Sequence, residues 1–390
     1  MSAHDALSAL ADELDQRLAA ADAELVDNYP GDRGTRQPVH TVYVPGDKYD
    51  ADTIATWGAG ARDVLSQHGR SVMELAEALE LRPSSAVEVY DRVRAKLERE
   101  PIEDLRIDFE DGYGNRPDDR EDAAVIAAAR APASSVKAGN ASPYHGIRIK
   151  SFEAPTRRRG LRTLGLFVGE LADADAVTDG FVITLPKVTS VDQVEAMVTA
   201  LETIERAHGI ATGTLLFEIQ IETPQSILGP DGSALVAKMI HAGGRRVTGL
   251  HYGTYDYSAS LGVAAAYQSM EHPAADHAKD VMQVAAAGTG VFISDGSTNI
   301  LPVGDRDAVP LGPAPARPVG TTLAVARHLL GLGPAPGPAA EPVRGDVRLL
   351  PRGPAHGRGP PPRLRARRRL WLSRRAGDRC RARRVRAPRS

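Results

Sequence analysis

Six side chains in this chain have the types and surroundings that could do chemistry: Glu110, Asp111, Arg148, Lys187, Glu222 and Asp256. Each lies at or just beyond the end of a strand-like run. Four are carboxylates and two are cations, and no Ser-His-Asp signature or thiol nucleophile accompanies them. Glu222 and Asp256, on successive strands, suit a hard divalent cation. Such an ion takes oxygen ligands and keeps waters that substrate oxygens can replace, so Mg²⁺, or another divalent ion such as Mn²⁺, is expected. The planar guanidinium of Arg148 suits a forked grip on a substrate carboxylate. A cation that polarises a 2-oxo acid stabilises an enolate, the species needed to make or break a C–C bond beside a carbonyl. Lys187 has two other readings, as an ion-pair partner of Glu218 or Glu222 and as a Schiff-base lysine. Taken singly, any of these carboxylates is more often a loop cap or salt-bridge partner than a ligand.

The elements that must position these groups alternate. Strand-like runs occur at HTVYVP (40–45), DLRIDFED (104–111), GIRIKSF (146–152), FVITLPKV (181–188), TLLFEIQIET (214–223), RVTGLHYGTYDY (246–257) and GVFISDG (290–296). Helical stretches fall between them: ADTIATWGAGARDVLSQ, SVMELAEALEL and SAVEVYDRVRAKLERE before the second strand, PDDREDAAVIAAARA after it, and SVDQVEAMVTALETIERAHG after the fourth. Strands separated by helices pair in parallel through right-handed crossovers. The fold class is therefore α/β, either a (β/α)8 TIM barrel or a large doubly wound sheet.

Strand composition favours the barrel. Parallel strands covered on both faces are normally apolar throughout. Here Leu105, Ile107 and Phe109 oppose Arg106, Asp108 and Glu110; Ile147 and Ile149 oppose Arg148 and Lys150; and Leu215, Phe217, Ile219 and Ile221 oppose Glu218, Gln220 and Glu222. The apolar face suits a layer of helices, and the charged face suits a lumen in which charges find partners, metal or substrate. A solvated antiparallel sheet gives the same alternation, but the intervening helices argue against it. Active sites of such barrels lie at the C-terminal strand ends, where all six candidates fall.

Composition divides the chain. Overall it is 42% hydrophobic and 25% charged, as a globular protein should be, and no apolar run is long enough to span a bilayer. The opening MSAHDALSALADELDQ lacks a signal-peptide pattern, and the one cysteine, Cys380, excludes an internal disulfide framework, so a cytoplasmic location without membrane contact is expected. Residues 311–390 carry 19 Arg, no Lys and three acids, a net charge of +16, against −18 for residues 1–310. The division is thus a leading helix over 1–38, a catalytic barrel over 39–310 and an Arg/Pro/Gly-rich tail over 311–390. Leu7, Leu10, Leu14 and Leu18 mark the leading helix as one that packs on something. Trp57 is expected in the core, and His251 as a packed histidine at a strand end.

The tail has three explanations: a disordered basic arm for nucleic acid, a Pro-rich partner-binding segment, or an out-of-frame reading of a GC-rich gene. The third accounts for most features: Arg, Pro, Gly and Ala enrichment, loss of Lys and abrupt loss of pattern. Shifted by one base, the codons of Gly331–Pro336 can read Gly-Trp-Asp-Leu-His-Pro. VGTTLAVARHLLGL (319–332) is its one helix-like piece, and no convincing eighth strand follows GVFISDG. The expected barrel therefore lacks a proper eighth strand because of an aberrant C-terminal tail, leaving open edges.

The motifs YVPGDKYDAD (43–52), DFEDGYGNRPDDREDAA (108–124), GIRIKS (146–151), LPKVTSVDQVE (185–195), IQIETPQSI (219–227) and YGTYDYSASLG (252–262) follow in order over most of 40–304. Together they resemble the HpcH/HpaI aldolase, citrate lyase β-subunit and malyl-CoA lyase superfamily. The resemblance implies a (β/α)8 barrel, often assembled into trimers or hexamers, that acts as a carbon–carbon lyase. It implies Arg148 as the carboxylate-binding arginine, Glu222 and Asp256 as Mg²⁺ ligands, and Glu110 and Asp111 beside the ion's water shell or handling protons. Lys187 matches a motif position without a settled role. The sequence departs from the family at Gly112 and Tyr113, at Lys150 where Asn is usual, and at Tyr255, as a divergent branch would. No CoA-specific signature occurs, and no His accompanies the first acidic segment, which favours the citrate-lyase-like side over class II aldolases.

The expected function is metal-dependent cleavage or formation of a C–C bond in a 2-oxo or hydroxy carboxylic acid, free or as its acyl-CoA ester, by a homo-oligomer. A phosphoenolpyruvate- or pyruvate-handling phosphotransferase on a related barrel is one alternative, although neither GxxxxGK[ST] nor a GxGxxG after a strand is present. A non-catalytic nucleic-acid-binding protein using its basic tail is the other.

Overall fold

The computed structural model describes residues 3–78, 83–139 and 141–297. The strands are β1 (Val42–Pro45), β2 (Asp104–Asp108), β3 (Tyr144–Arg148), β4 (Phe181–Leu185), β5 (Leu216–Ile221), β6 (Val247–Tyr252) and β7 (Phe292–Ser294). The helices are α1 (Ala3–Asn28), α2 (Thr53–His68), α3 (Val72–Ala78), α4 (Pro83–Arg99), α5 (Asp118–Ala138), α6 (Arg157–Asp173), α7 (Val191–His208), α8 (Pro224–Ile227), α9 (Leu235–Gly243), α10 (Thr254–Ser260) and α11 (Pro273–Ala286). The seven strands form one sheet in the order β1-β2-β3-β4-β5-β6-β7, every neighbouring pair parallel. Outside the sheet α5 packs on α6, α6 on α7, α7 on α9 and α9 on α11.

The sheet is curled rather than flat. In a flat sheet β2 and β5 would lie about 14 Å apart, three strand spacings. Instead Arg106 Nη2 on β2 is 3.0 Å from Glu218 Oε2 on β5. Likewise Arg148 on β3 stands 4.8 Å from the Tyr43 ring on β1 and donates to Gln220 on β5. The alternation read from the sequence therefore sorts as a barrel requires. Ile107, Ile147, Phe217 and Ile219 are fully buried under the helices, as is Phe181, which stacks on Phe167 of α6 with ring centroids 6.0 Å apart. The charged residues turn inward and are buried too, which excludes a solvated sheet.

The lower lumen is closed by ions. Arg106 is 1% exposed, and its guanidinium is held between Asp104 and Glu218. Thr184 donates to Glu218 at 2.5 Å, and His251 Nε2 lies 2.8 Å from the same carboxylate. Burial alone would push Glu218 upward, but Arg106 and His251 hold it well below the ordinary carboxylate range. His251 is the packed strand-end histidine the sequence implied.

Three expectations change. α1 forms, but no residue of it is buried, so it is not a covering helix; its leucines project at 42–66% exposure. Trp57 is 44% exposed, because α2 packs through Leu65 onto Leu75, Val93 and Leu97 of α3 and α4 instead. α5 continues through Pro132 to Ala138, beyond Ala131, where the expected helical stretch PDDREDAAVIAAARA stops. The missing eighth strand, the 319–332 helix and every reading of residues 311–390 lie outside the described residues.

Replacing Arg106 with Leu leaves Asp104 and Glu218 buried without their counter-ion and is expected to cost about 3–5 kcal/mol in urea unfolding. A loss below about 1 kcal/mol would show that the lumen does not need this cation. His145 on β3 is also buried, and burial pushes its imidazole down to about 4. Between pH 6.5 and 4 the unfolded chain takes up a proton that the folded chain refuses, so stability should fall across that window. His145→Phe should flatten this part of the profile; an unchanged slope would assign it elsewhere.

Candidate active site

The β2–α5 loop carries the acidic pair. It is anchored by Asp108, whose carboxylate accepts from the backbone N–H of Glu110 (2.9 Å) and of Gly112 (2.8 Å). A Cβ at Gly112 would lie 2.5 Å from Asp108 Oδ2, so the glycine at this position follows from a tight turn onto that carboxylate. The buried ammonium of Lys150 ties the loop at both ends, donating to the carbonyls of Phe109 (2.8 Å) and Gly114 (3.0 Å). Glu121 of α5, 3.0 Å away, balances its charge. Lys150 thus fastens the acidic loop instead of facing a ligand.

Arg148 closes β3. Its Nε and Nη2 donate to the two oxygens of Asp108, each at 2.7 Å. The forked edge expected to hold a substrate carboxylate is therefore occupied. Nη1 points to Gln220 at 3.4 Å and to Glu110 Oε2 at 3.6 Å, which leaves that edge for a ligand. Asp108, Gln220 and Tyr43 belong to the site and were not among the six candidates. Alternation had put Asp108 and Gln220 on the luminal face, but nothing in sequence spacing pairs either with Arg148.

Lys187 follows β4 in the left-handed conformation, with φ +52°. This turn aims its N–H at Glu222 Oε1, 2.6 Å away, while its side chain crosses to the acidic loop. There Nζ contacts Glu110, donates to both oxygens of Asp111 (2.9 and 3.0 Å) and lies 3.7 Å from Asp256 Oδ2. Burial disfavours the ammonium, but Glu110, Glu222 and Asp111 outweigh it and raise its pKa. All six candidates therefore meet in one cluster. Lys187 partners Glu110 and Asp111 rather than Glu218.

Glu222 is 1% exposed, and its Oε2 has no hydrogen-bond partner. Burial, together with Asp256 and Glu110, pushes its carboxyl up to about 8. Gly253 lies against it, where a Cβ would fall 2.4 Å from Glu222 Cβ. Burial also pushes Glu110 up to about 6. Asp256, in the first turn of α10, remains 45% exposed. The described residues contain no group of three or more His, Cys, Asp or Glu able to hold a metal by themselves. Glu222 and Asp256 still fit a hard divalent cation: one buried oxygen of Glu222 lacks a partner, the nearby Asp256 carboxylate disfavours a bare charge on Glu222, and solvent reaches Asp256 to supply the remaining ligands.

Residues 18–326 match the family described as "Domain of unknown function (DUF6986)". The chain belongs to this family. No curated protein matches it. Among solved structures it is similar to a citrate lyase from Burkholderia xenovorans LB400, with 21% identity, 52% of this chain and 58% of that chain covered, and a TM-score of 0.40. It thus spans less than two thirds of that protein. It is also similar to an HpcH/HpaI aldolase/citrate lyase family protein from Burkholderia cenocepacia J2315, with 16% identity, coverages of 66% and 79%, and a TM-score of 0.38. A third is Haloferax volcanii malate synthase in a magnesium/glyoxylate complex, with 17% identity, coverages of 61% and 68%, and a TM-score of 0.41. No helix among the described residues is long and apolar enough to cross a membrane.

If Lys150 fastens the acidic loop, Lys150→Met should raise amide hydrogen exchange across 109–114 roughly tenfold or more while β5 stays protected. Unchanged exchange in the loop would remove that role.

Proposed function

We propose that this protein is a metal-dependent carbon–carbon lyase or aldolase acting on a 2-oxo or hydroxy carboxylic acid. The observation that carries the reading is the convergence of Arg148, Glu110, Asp111, Lys187, Glu222 and Asp256 at the C-terminal strand ends, with one buried carboxylate oxygen unpartnered. Glu222 and Asp256 are the residues that would hold Mg²⁺ or Mn²⁺; when bound, such an ion supplies Lewis-acid stabilisation of an enolate oxygen.

The chain's own groups divide the remaining work. Nη1 of Arg148 binds the substrate carboxylate, while Asp108 fixes the guanidinium plane through the opposite edge. Gln220 adds a polar contact beside it. Glu110, raised to about 6, is the group we assign to carry the proton at Oε, because a base works best with a pKa near the operating pH. The backbone N–H of Asp111 donates to Glu110 at 2.9 Å and holds it in place, and Lys187 sets the charge around it before an ion binds. The phosphotransferase alternative lacks a nucleotide loop in the sequence, and the nucleic-acid alternative rests on residues 311–390, outside those described.

Enolisation can be tested without knowing the full substrate. Incubated in D₂O with Mg²⁺, the full-length chain should exchange the protons next to the carbonyl of pyruvate or 2-oxobutyrate, followed by proton NMR. Arg148→Ala and Glu222→Gln should each slow the exchange roughly 100-fold or more. If none of the 2-oxo acids exchanges faster than in buffer with Mg²⁺ alone, the reading is wrong.

A further inference from the structure

At the rim of the lumen, Asp108, Glu110, Asp111, Glu222 and Asp256 share Arg148 and Lys187 as their cations among the described residues. Arg148 is committed to Asp108. Apart from the outer Arg148 edge, 3.6 Å from Glu110, the other four carboxylates have one mobile cation among the described residues, the Lys187 ammonium. It sits against Glu110 and Asp111 and 3.7 Å from Asp256, while its backbone N–H takes one oxygen of Glu222. The other oxygen of that buried carboxylate has no partner. One unit charge is too little for such a cluster, and it is supplied by a flexible stem about a quarter exposed, at 23%.

We propose that Lys187 is a built-in counter-ion of this site, holding the cation position between the acidic loop and Asp256 and yielding it when a divalent cation binds. This rests on the reading of Glu222 and Asp256 as the ion's ligands. The physical reason is Coulombic. An ammonium and a divalent ion cannot both lie about 4 Å from the same carboxylates without mutual repulsion, and the divalent ion brings twice the charge. Lysine suits the task because its charge rides on four methylenes and can swing out to solvent, whereas Arg148 is locked by two parallel hydrogen bonds. The left-handed turn at Lys187 separates the two jobs of the residue: the backbone stays on Glu222 while the side chain is free to leave. Binding is then an exchange in which some cation faces the carboxylates at every stage, and the site selects divalent over monovalent cations by having to outcompete an internal monovalent one.

The test is Mn²⁺ affinity of the full-length chain by titration calorimetry and by electron paramagnetic resonance of free Mn²⁺. Lys187→Asn removes the charge but keeps a residue that tolerates left-handed backbone. It should bind Mn²⁺ roughly tenfold more tightly than wild type or better, and Lys187→Arg should not. In the unmodified protein, saturating Mn²⁺ should increase acylation of Lys187 by an amine-reactive ester, read by mass spectrometry, with other lysines unchanged. Equal or weaker Mn²⁺ binding by Lys187→Asn overturns the counter-ion role while leaving the metal site standing. Lys187 acylation that ignores Mn²⁺ also overturns it, whether or not the variant folds. If neither protein binds Mn²⁺, the metal reading falls and the counter-ion role with it.

Discussion

The structure depends on the burial of charge inside the curl of a parallel sheet. A parallel sheet that curls brings the luminal side chains of non-adjacent strands within ion-pair distance. It can do so only if each buried charge meets an opposite one, since an unpaired ion in that interior costs several kcal/mol. Arg106 on β2 meets Glu218 on β5, and Arg148 on β3 meets Asp108 on β2 and faces Gln220 on β5. The apolar faces of the same strands hold the helices outside. Curvature, strand composition and helix packing therefore answer one requirement.

Charge balance also separates the two ends of the lumen. At the bottom, Arg106 sits between two carboxylates, with Thr184 and His251 completing the shell of Glu218. That cluster resists change. At the rim the balance is deliberately short of cations: Glu222 keeps an unpartnered oxygen, Asp256 stays open to solvent, and a single flexible lysine spans the gap. Barrel proteins place function at the C-terminal strand ends and stability at the other. Here the division is visible as paired charge below and under-compensated charge above.

Much of the site was legible because strand alternation is a local property. The period of two in DLRIDFED and TLLFEIQIET put Asp108, Glu218, Gln220 and Glu222 on the luminal side, and the structure keeps them there. Partner choice was not legible. Lys187 goes to Glu110 and Asp111 across the lumen instead of to Glu218, because its left-handed backbone sends the side chain over the rim. The grip of Asp108 on Arg148 and the tethering of the acidic loop by Lys150 span 40 residues or so of chain, and no spacing rule connects them. The exposed leucines of α1 carry the same message in reverse: amphipathic periodicity forecasts a helix, while burial depends on whether a surface arrives to meet it.

The amino-acid sequence by itself determined the order of strands and helices, their parallel pairing, which face of each strand is charged, and which six residues stand at the strand ends. Those properties follow from backbone preference and hydrophobic period, which act over a few residues. It also marked the change in composition after residue 310. Only the tertiary structure decided which charges pair, that the forked edge of Arg148 is taken by Asp108, and that Glu222 is left with one buried oxygen free. The Arg106–Glu218 pair depends on the curvature that brings β2 and β5 together, the Asp108–Arg148 pair on the register that sets the two side by side on β2 and β3, and the free oxygen on the few ångströms that separate a hydrogen bond from an unmet charge.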